Sequence, residues 1–211
     1  MGKNRNLPSN AMWRWDQYNT RWVKFTGSVD EQGITQVKIT DGTSDASIDG
    51  STATLQTIEY EHHEIHAGTH YFVAGYESED NGGTVEFVFT TPDTDEEQHL
   101  TFEVVGTQNT TLDVYKGSTS IEGGSSVTPI NNNGRSSNTS NVTVLKDPAS
   151  ITDGNLIFSQ SSGANKSVGI IARDREVVLD RDSTYLFRLT SGGNSNIINW
   201  NAEWYEHTPK N

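Results

Sequence analysis

The chain has no cysteine in its 211 residues, so neither a disulfide framework nor a thiolate-held metal is open to it. Long apolar runs are also missing. No stretch approaches the ~18 apolar residues of a membrane span, and the opening MGKNRNLPSNAMW lacks the apolar centre of a secretory signal. The expected place of synthesis is therefore a cytoplasm, with no membrane as partner. Positive charge is scarce: 15 Lys and Arg stand against 28 Asp and Glu, a formal net charge of −13. That balance argues against nucleic acid or an anionic surface as ligand. Apolar residues make up 32%, with a mean hydropathy of −0.65, too little for one generous core, so part of the surface is expected to need a partner. Four Asn-x-Ser/Thr sequons, at Asn109, Asn138, Asn141 and Asn165, reflect a composition rich in Thr, Ser and Asn rather than glycosylation.

What is present is alternation. In TVEFVFT (84–90), Val85, Phe87 and Phe89 share one face, and in HLTFEVV (99–105) Leu100, Phe102 and Val104 do the same. With the polar turn TPDTDEEQ between them, these two runs read as a hairpin. TTLDVYKG (110–117), REVVLD (175–180), STYLFRLT (183–190) and NIINWNAEWYEH (196–207) alternate likewise, the last placing Ile198, Trp200, Ala202 and Trp204 on one side. No window has the apolar stripe of an amphipathic helix, and turn residues recur every eight to twelve positions. The expected fold is all-β, an antiparallel β-sandwich of jelly-roll type over residues 58–211 with negligible helix.

Residues 1–57 differ. They carry Trp13, Trp15, Tyr18, Trp22 and Phe25 among short strand-like pieces (VKIT, ASID, TATLQ), with too few apolar groups for a core of their own. This reads as an extended N-terminal docking arm whose aromatics seat on a neighbouring subunit. An N-terminal segment wrapped over the same chain's sandwich is the alternative. Within the sandwich, residues 117–144 form a long polar connection containing NNNGRSSN, whose amides and hydroxyls suit an ordered, self-capping loop.

Four of six histidines crowd into EYEHHEIHAGTHYF (59–72). Read as a strand, this run places His62, Glu64 and His66 in a row on one face, with His70 returning after a turn. A zinc or nickel site can be drawn on these residues, but no HExxH helix supports it, and a polar inter-subunit face is the preferred reading, with no metal and no cofactor. The carboxylates Asp93, Asp95, Glu96 and Glu97, and Glu77, Glu79 and Asp80, sit in turn-like stretches without the EF-hand pattern. No GxSxG elbow and no phosphate-cradling glycine loop occurs, so no catalytic residues are assigned and the chain is not expected to be an enzyme.

Five stretches together carry a resemblance: QVKITDGTSDASID (36–49), EIHAGTHYFVAGYES (64–78), FVFTTPDTDEEQHLTFEV (87–104), TPINNNGRSSNTSNVTV (128–144) and AEWYEHTPKN (202–211). They resemble a family of structural proteins encoded by tailed bacteriophages, in which a DGT arm leads to a β-rich domain with a PINNN-R-SSNTS loop and a closing WYEH. The opening LPSNAMWRWDQYNTRWVKF is similar to lead-in segments of such virion proteins. The resemblance implies a non-enzymatic virion protein, most simply a capsid decoration protein bound to the major capsid protein or other virion proteins. It further implies a homo-oligomer, with a trimer favoured by analogy, and assembly in the host bacterial cytoplasm. Two rival functions stay open: a tail, baseplate or fibre component stacking host glycans on Trp200, Trp204, Tyr205 and Tyr76, and a metal-dependent hydrolase using His62, His66 and His70.

Overall fold

The computed structural model describes residues 61–170 and 176–209 with their side chains, and residues 12–16, 21–25 and 60 by backbone alone. The chain divides into two units, Met1–Thr57 and Ile58–Asn211. In the first, β1 (Met12–Asp16) and β2 (Arg21–Phe25) pair antiparallel with Trp15 opposite Trp22 and Met12 opposite Phe25. Trp13, Trp15, Trp22 and Phe25 therefore belong to a two-stranded ladder. Tyr18 and the pieces VKIT, ASID and TATLQ lie outside the described residues.

The second unit is an antiparallel β-sandwich. It opens with one short helix, α1 (Tyr60–Ala67), followed by β3 (His70–Glu79), β4 (Thr84–Thr90), β5 (Glu97–Gly106) and β6 (Thr110–Lys116). An excursion of short strands comes next: β7 (Thr119–Glu122), β8 (Ser125–Val127), β9 (Ile130–Asn131), β10 (Thr143–Lys146) and β11 (Ser150–Thr152). The chain closes with β12 (Asn155–Ser162), β13 (Ser167–Ile170), β14 (Val177–Leu179), β15 (Thr184–Ser191) and β16 (Asn196–His207).

One sheet runs β13-β5-β16-β3-β9 and the other β12-β6-β15-β4-β10-β8. With the excursion set aside, β3 pairs β16, β4 pairs β15, β5 pairs β13 and β6 pairs β12. This nesting of first with last, alternating between two sheets, is the jelly-roll wrap. The strand alternation read from the sequence is realised: Phe87, Phe89, Leu100, Phe102, Ile198 and Trp204 all lie in one buried core between the sheets. Phe89 meets Trp204 and Phe102 meets Phe187 edge to face, at 5.8 and 5.0 Å between ring centres.

Two expectations are corrected. The runs 84–90 and 99–105 are not a hairpin, because β4 and β5 belong to opposite sheets and the polar connection 91–96 crosses between them. Each strand has one apolar face, and placing the strands in facing sheets buries both faces against each other. The histidine segment is helical rather than a strand. Gly68, at φ +76°, ends α1 by donating its N–H to Ile65 C=O (3.1 Å), while Thr69 N–H reaches Glu64 C=O (3.0 Å). These paired bonds make a Schellman cap, whose left-handed residue glycine adopts without steric cost.

Candidate functional site

The outer face of the first sheet collects the chemistry. Register places His70 of β3, Tyr205 of β16 and His99 of β5 directly abreast, and sets Glu97 opposite His207 one step further along. These positions alternate with the core residues Tyr71, Leu100 and Trp204, so they emerge on the side away from the core. The Tyr205 ring stacks on His99 at 4.7 Å and 13°, and lies nearly parallel to His70 at 6.3 Å. Helix α1 packs against β3 and β16 and brings Glu61 to this face.

The four residues of the expected polar face are not brought to one point. His62 and His66, a helical turn apart, meet through their Nε2 atoms at 2.9 Å on the exposed side of α1. Glu64 is buried; it accepts from Thr69 Oγ1 at 2.6 Å and contacts His63 Nδ1 at 3.2 Å. His70 is fully buried, with Nδ1 2.6 Å from the Asn132 amide nitrogen and Nε2 3.3 Å from Glu61 Oε1. The amide donates to Nδ1, so the ring hydrogen sits on Nε2 and points to the Glu61 carboxylate. His70 is thereby a hydrogen-bonded structural link, and the drawn set His62, His66 and His70 does not converge on an ion.

The Asn-rich loop explains why α1 forms. Asn131 and Asn138 each donate a side-chain amide to Gly68 C=O, at 2.8 and 3.1 Å, and Asn133 donates to His66 C=O at 3.2 Å. The last turn of a helix leaves carbonyls without intrahelical partners, and this loop supplies donors to them. Its far end is held by Glu206. That buried carboxylate accepts from Trp204 Nε1 at 3.0 Å, from Asn141 N–H at 3.1 Å, and from the Ser140 hydroxyl.

Across the sheet lies a second group, of which the sequence reading weighed only Glu97, as a turn carboxylate. His99 Nε2 and His207 Nε2 stand 3.0 Å apart, with Glu97 Oε2 at 3.6 Å from the first and 3.8 Å from the second. His99 Nδ1 is 2.6 Å from Glu176 Oε1, and the same carboxylate oxygen accepts from Tyr205 O–H at 2.6 Å. His207 Nδ1 lies 2.9 Å from Thr208 C=O. The two histidines are 108 positions apart, so only the pairing of β5 with β16 brings them together.

The proposed sugar-stacking aromatics are mostly unavailable. Trp200, Trp204 and Tyr205 are buried, leaving Tyr76, 71% exposed, as the one open ring of the four. Strand β12 is different. It ends its sheet, pairing only β6 among the described residues, and exposes Leu156 and Ile157. From Asn155 to Asn165 it carries no charge. A bulge between Leu156 and Phe158 marks its first half, and the ladder from Phe158 to Ser162 is regular. No helix among the described residues is long and apolar enough to cross a membrane.

Comparison with known proteins yields no match, either among protein-family profiles or among curated sequences.

Proposed function

We propose that the protein is a non-enzymatic structural component of a tailed-bacteriophage virion, most simply a capsid decoration protein that binds the capsid lattice as a homo-oligomer. The observation that carries this reading is the uncharged edge of β12, which pairs only β6 among the described residues. Sheet edges that must stay solitary are blunted by charge, and this one offers backbone donors and acceptors beside exposed Leu156 and Ile157. Such an edge suits strand-to-strand attachment, the mode in which backbone bonds supply affinity and flanking pockets supply register. The five motif stretches that resemble phage structural proteins supply the setting, and the negative charge keeps free subunits apart before assembly. The histidine and asparagine network supports the same reading in a different way. It ties helix, loop and sheet together without cysteine, which suits a particle that leaves the cell.

The test is incorporation. Particles grown with an Ile157→Lys or Leu156→Lys protein are expected to carry fewer copies by quantitative mass spectrometry, because the charge opposes pairing at this edge. Undiminished copy number, with the variants folded, overturns the role of β12.

A further inference from the structure

We infer that Glu97, His99 and His207 form a binding site for a divalent transition-metal ion of the zinc, cobalt or nickel type. The inference stands apart from the virion reading. It starts from hydrogen positions. Glu176 carboxylate can only accept, so the 2.6 Å contact requires His99 Nδ1 to carry a hydrogen. Thr208 offers a carbonyl, so the 2.9 Å contact requires the same of His207 Nδ1. In neutral rings both Nε2 atoms then present lone pairs, and they do so to each other at 3.0 Å with a Glu97 oxygen alongside. Three electron-pair donors facing one another repel unless a positive charge, a shared proton or a metal ion, stands among them, and the ligand geometry and outer contacts favour the metal ion.

The geometry suits a metal ion. Zinc–nitrogen bonds of about 2.0–2.1 Å in tetrahedral array place neighbouring ligand atoms roughly 3.3 Å apart. The three separations here are 3.0, 3.6 and 3.8 Å. Two imidazoles and one carboxylate leave a fourth position for water, and imidazole ligands favour zinc, copper, nickel or iron over calcium and magnesium. The outer contacts match as well: metal-bound histidines hand their second nitrogen's hydrogen to a carboxylate or backbone carbonyl, and here there is one of each. Tyr205 braces the arrangement by donating to Glu176 and stacking on His99. The neighbouring group of Glu61, His70 and Glu203 shows the contrast. There Asn132 donates to His70 Nδ1, so the ring's remaining nitrogen carries a hydrogen and is not a ligand atom.

An ion at this place would tie the end of β16, through His207, to the start of β5, through Glu97 and His99. The experiment uses full-length protein stripped with chelator, dialysed, and titrated with Co²⁺ and with Zn²⁺. One tight cobalt per chain is expected, with the visible absorption of a four- or five-coordinate ion and displacement by zinc. His99→Ala and His207→Ala are expected to abolish tight binding, and Glu176→Gln to weaken it about 10–100-fold by releasing the ring it orients. The Glu97→Gln variant, at a half-exposed side chain and checked by circular dichroism, covers the case in which a histidine variant fails to fold; it too should lose the tight site. A His62→Gln/His66→Gln double variant, which removes the exposed helical pair, should bind as the parent does. Failure to bind cobalt stoichiometrically, binding that survives His99→Ala, or binding lost equally in the His62/His66 variant overturns the inference.

Discussion

Glu206→Gln is expected to release the Asn-rich loop and cost the sandwich about 3 kcal/mol. The Glu206 carboxylate draws together three donors, Trp204 Nε1, Ser140 Oγ and Asn141 N–H, and the residue is 4% exposed. Hydrogen bonds to a charged group contribute about 1.5–3 kcal/mol each, against about 0.5–1.5 for neutral ones. Removing the charge from three such bonds therefore costs about 3 kcal/mol. Glutamine adds a further conflict, since its amide nitrogen must face one of the three donors. For a domain of this size about 1 kcal/mol moves the thermal midpoint by roughly 2–4 °C, so a fall of about 6–12 °C is expected by calorimetry. Glu77→Gln serves as the comparison, because the Glu77 pair with Lys146 is partly solvated and surface pairs contribute about 0–1 kcal/mol. Hydrogen exchange at Asn141 and Val142 should quicken in the Glu206 variant alone. If Glu206→Gln falls no further than Glu77→Gln, the carboxylate is not what holds the loop.

Tyr71 gives a pH prediction. Its burial, with Glu206 and Glu96 nearby, pushes the phenol up to about 12, so the folded state keeps the proton longer than the unfolded chain does. Stability from this group is complete below pH ~10 and falls by about 1.4 kcal/mol per pH unit as pH rises towards the folded value. Tyr71→Phe should flatten alkaline unfolding over that window; an unchanged slope counts against the assignment. Gly75→Ala should destabilise by about 1–3 kcal/mol, since a Cβ there would lie 2.7 Å from the Trp200 ring, which is itself packed on Phe87 at 3.9 Å between ring centres. Unaltered denaturant midpoints would show that the ring can move aside. Deleting residues 1–35 should leave a folded β-domain by circular dichroism that no longer enters particles. Wild-type occupancy of the truncated protein, or its failure to fold, would refute the docking role of Trp13, Trp15, Tyr18, Trp22 and Phe25.

Strand identity was legible because large apolar residues recur at every second position of the core strands, so Phe87, Phe102 and Trp204 could be assigned to buried faces before any partner strand was known. Partner choice was not. Alternation says that a strand has one apolar face but not which sheet holds it, and β4 and β5 were misjudged as a hairpin for that reason. The helix was missed because α1 has no apolar stripe to read; its existence is decided by Gly68 and by asparagines more than sixty positions away. Glu61 early, His66 late and Gly68 just beyond the end were the available signs of a helix. His99 and His207 each look like an outward polar residue on a strand, and only the β5–β16 register makes them a pair.

The most direct measurement is cryo-electron microscopy of purified phage particles, combined with mass spectrometry of their proteins. The account predicts this protein in fixed stoichiometry to the major capsid protein, with jelly-roll density repeated over the head lattice and β12 at a contact. Particles that lack the protein, or that carry it on the tail alone, would contradict it.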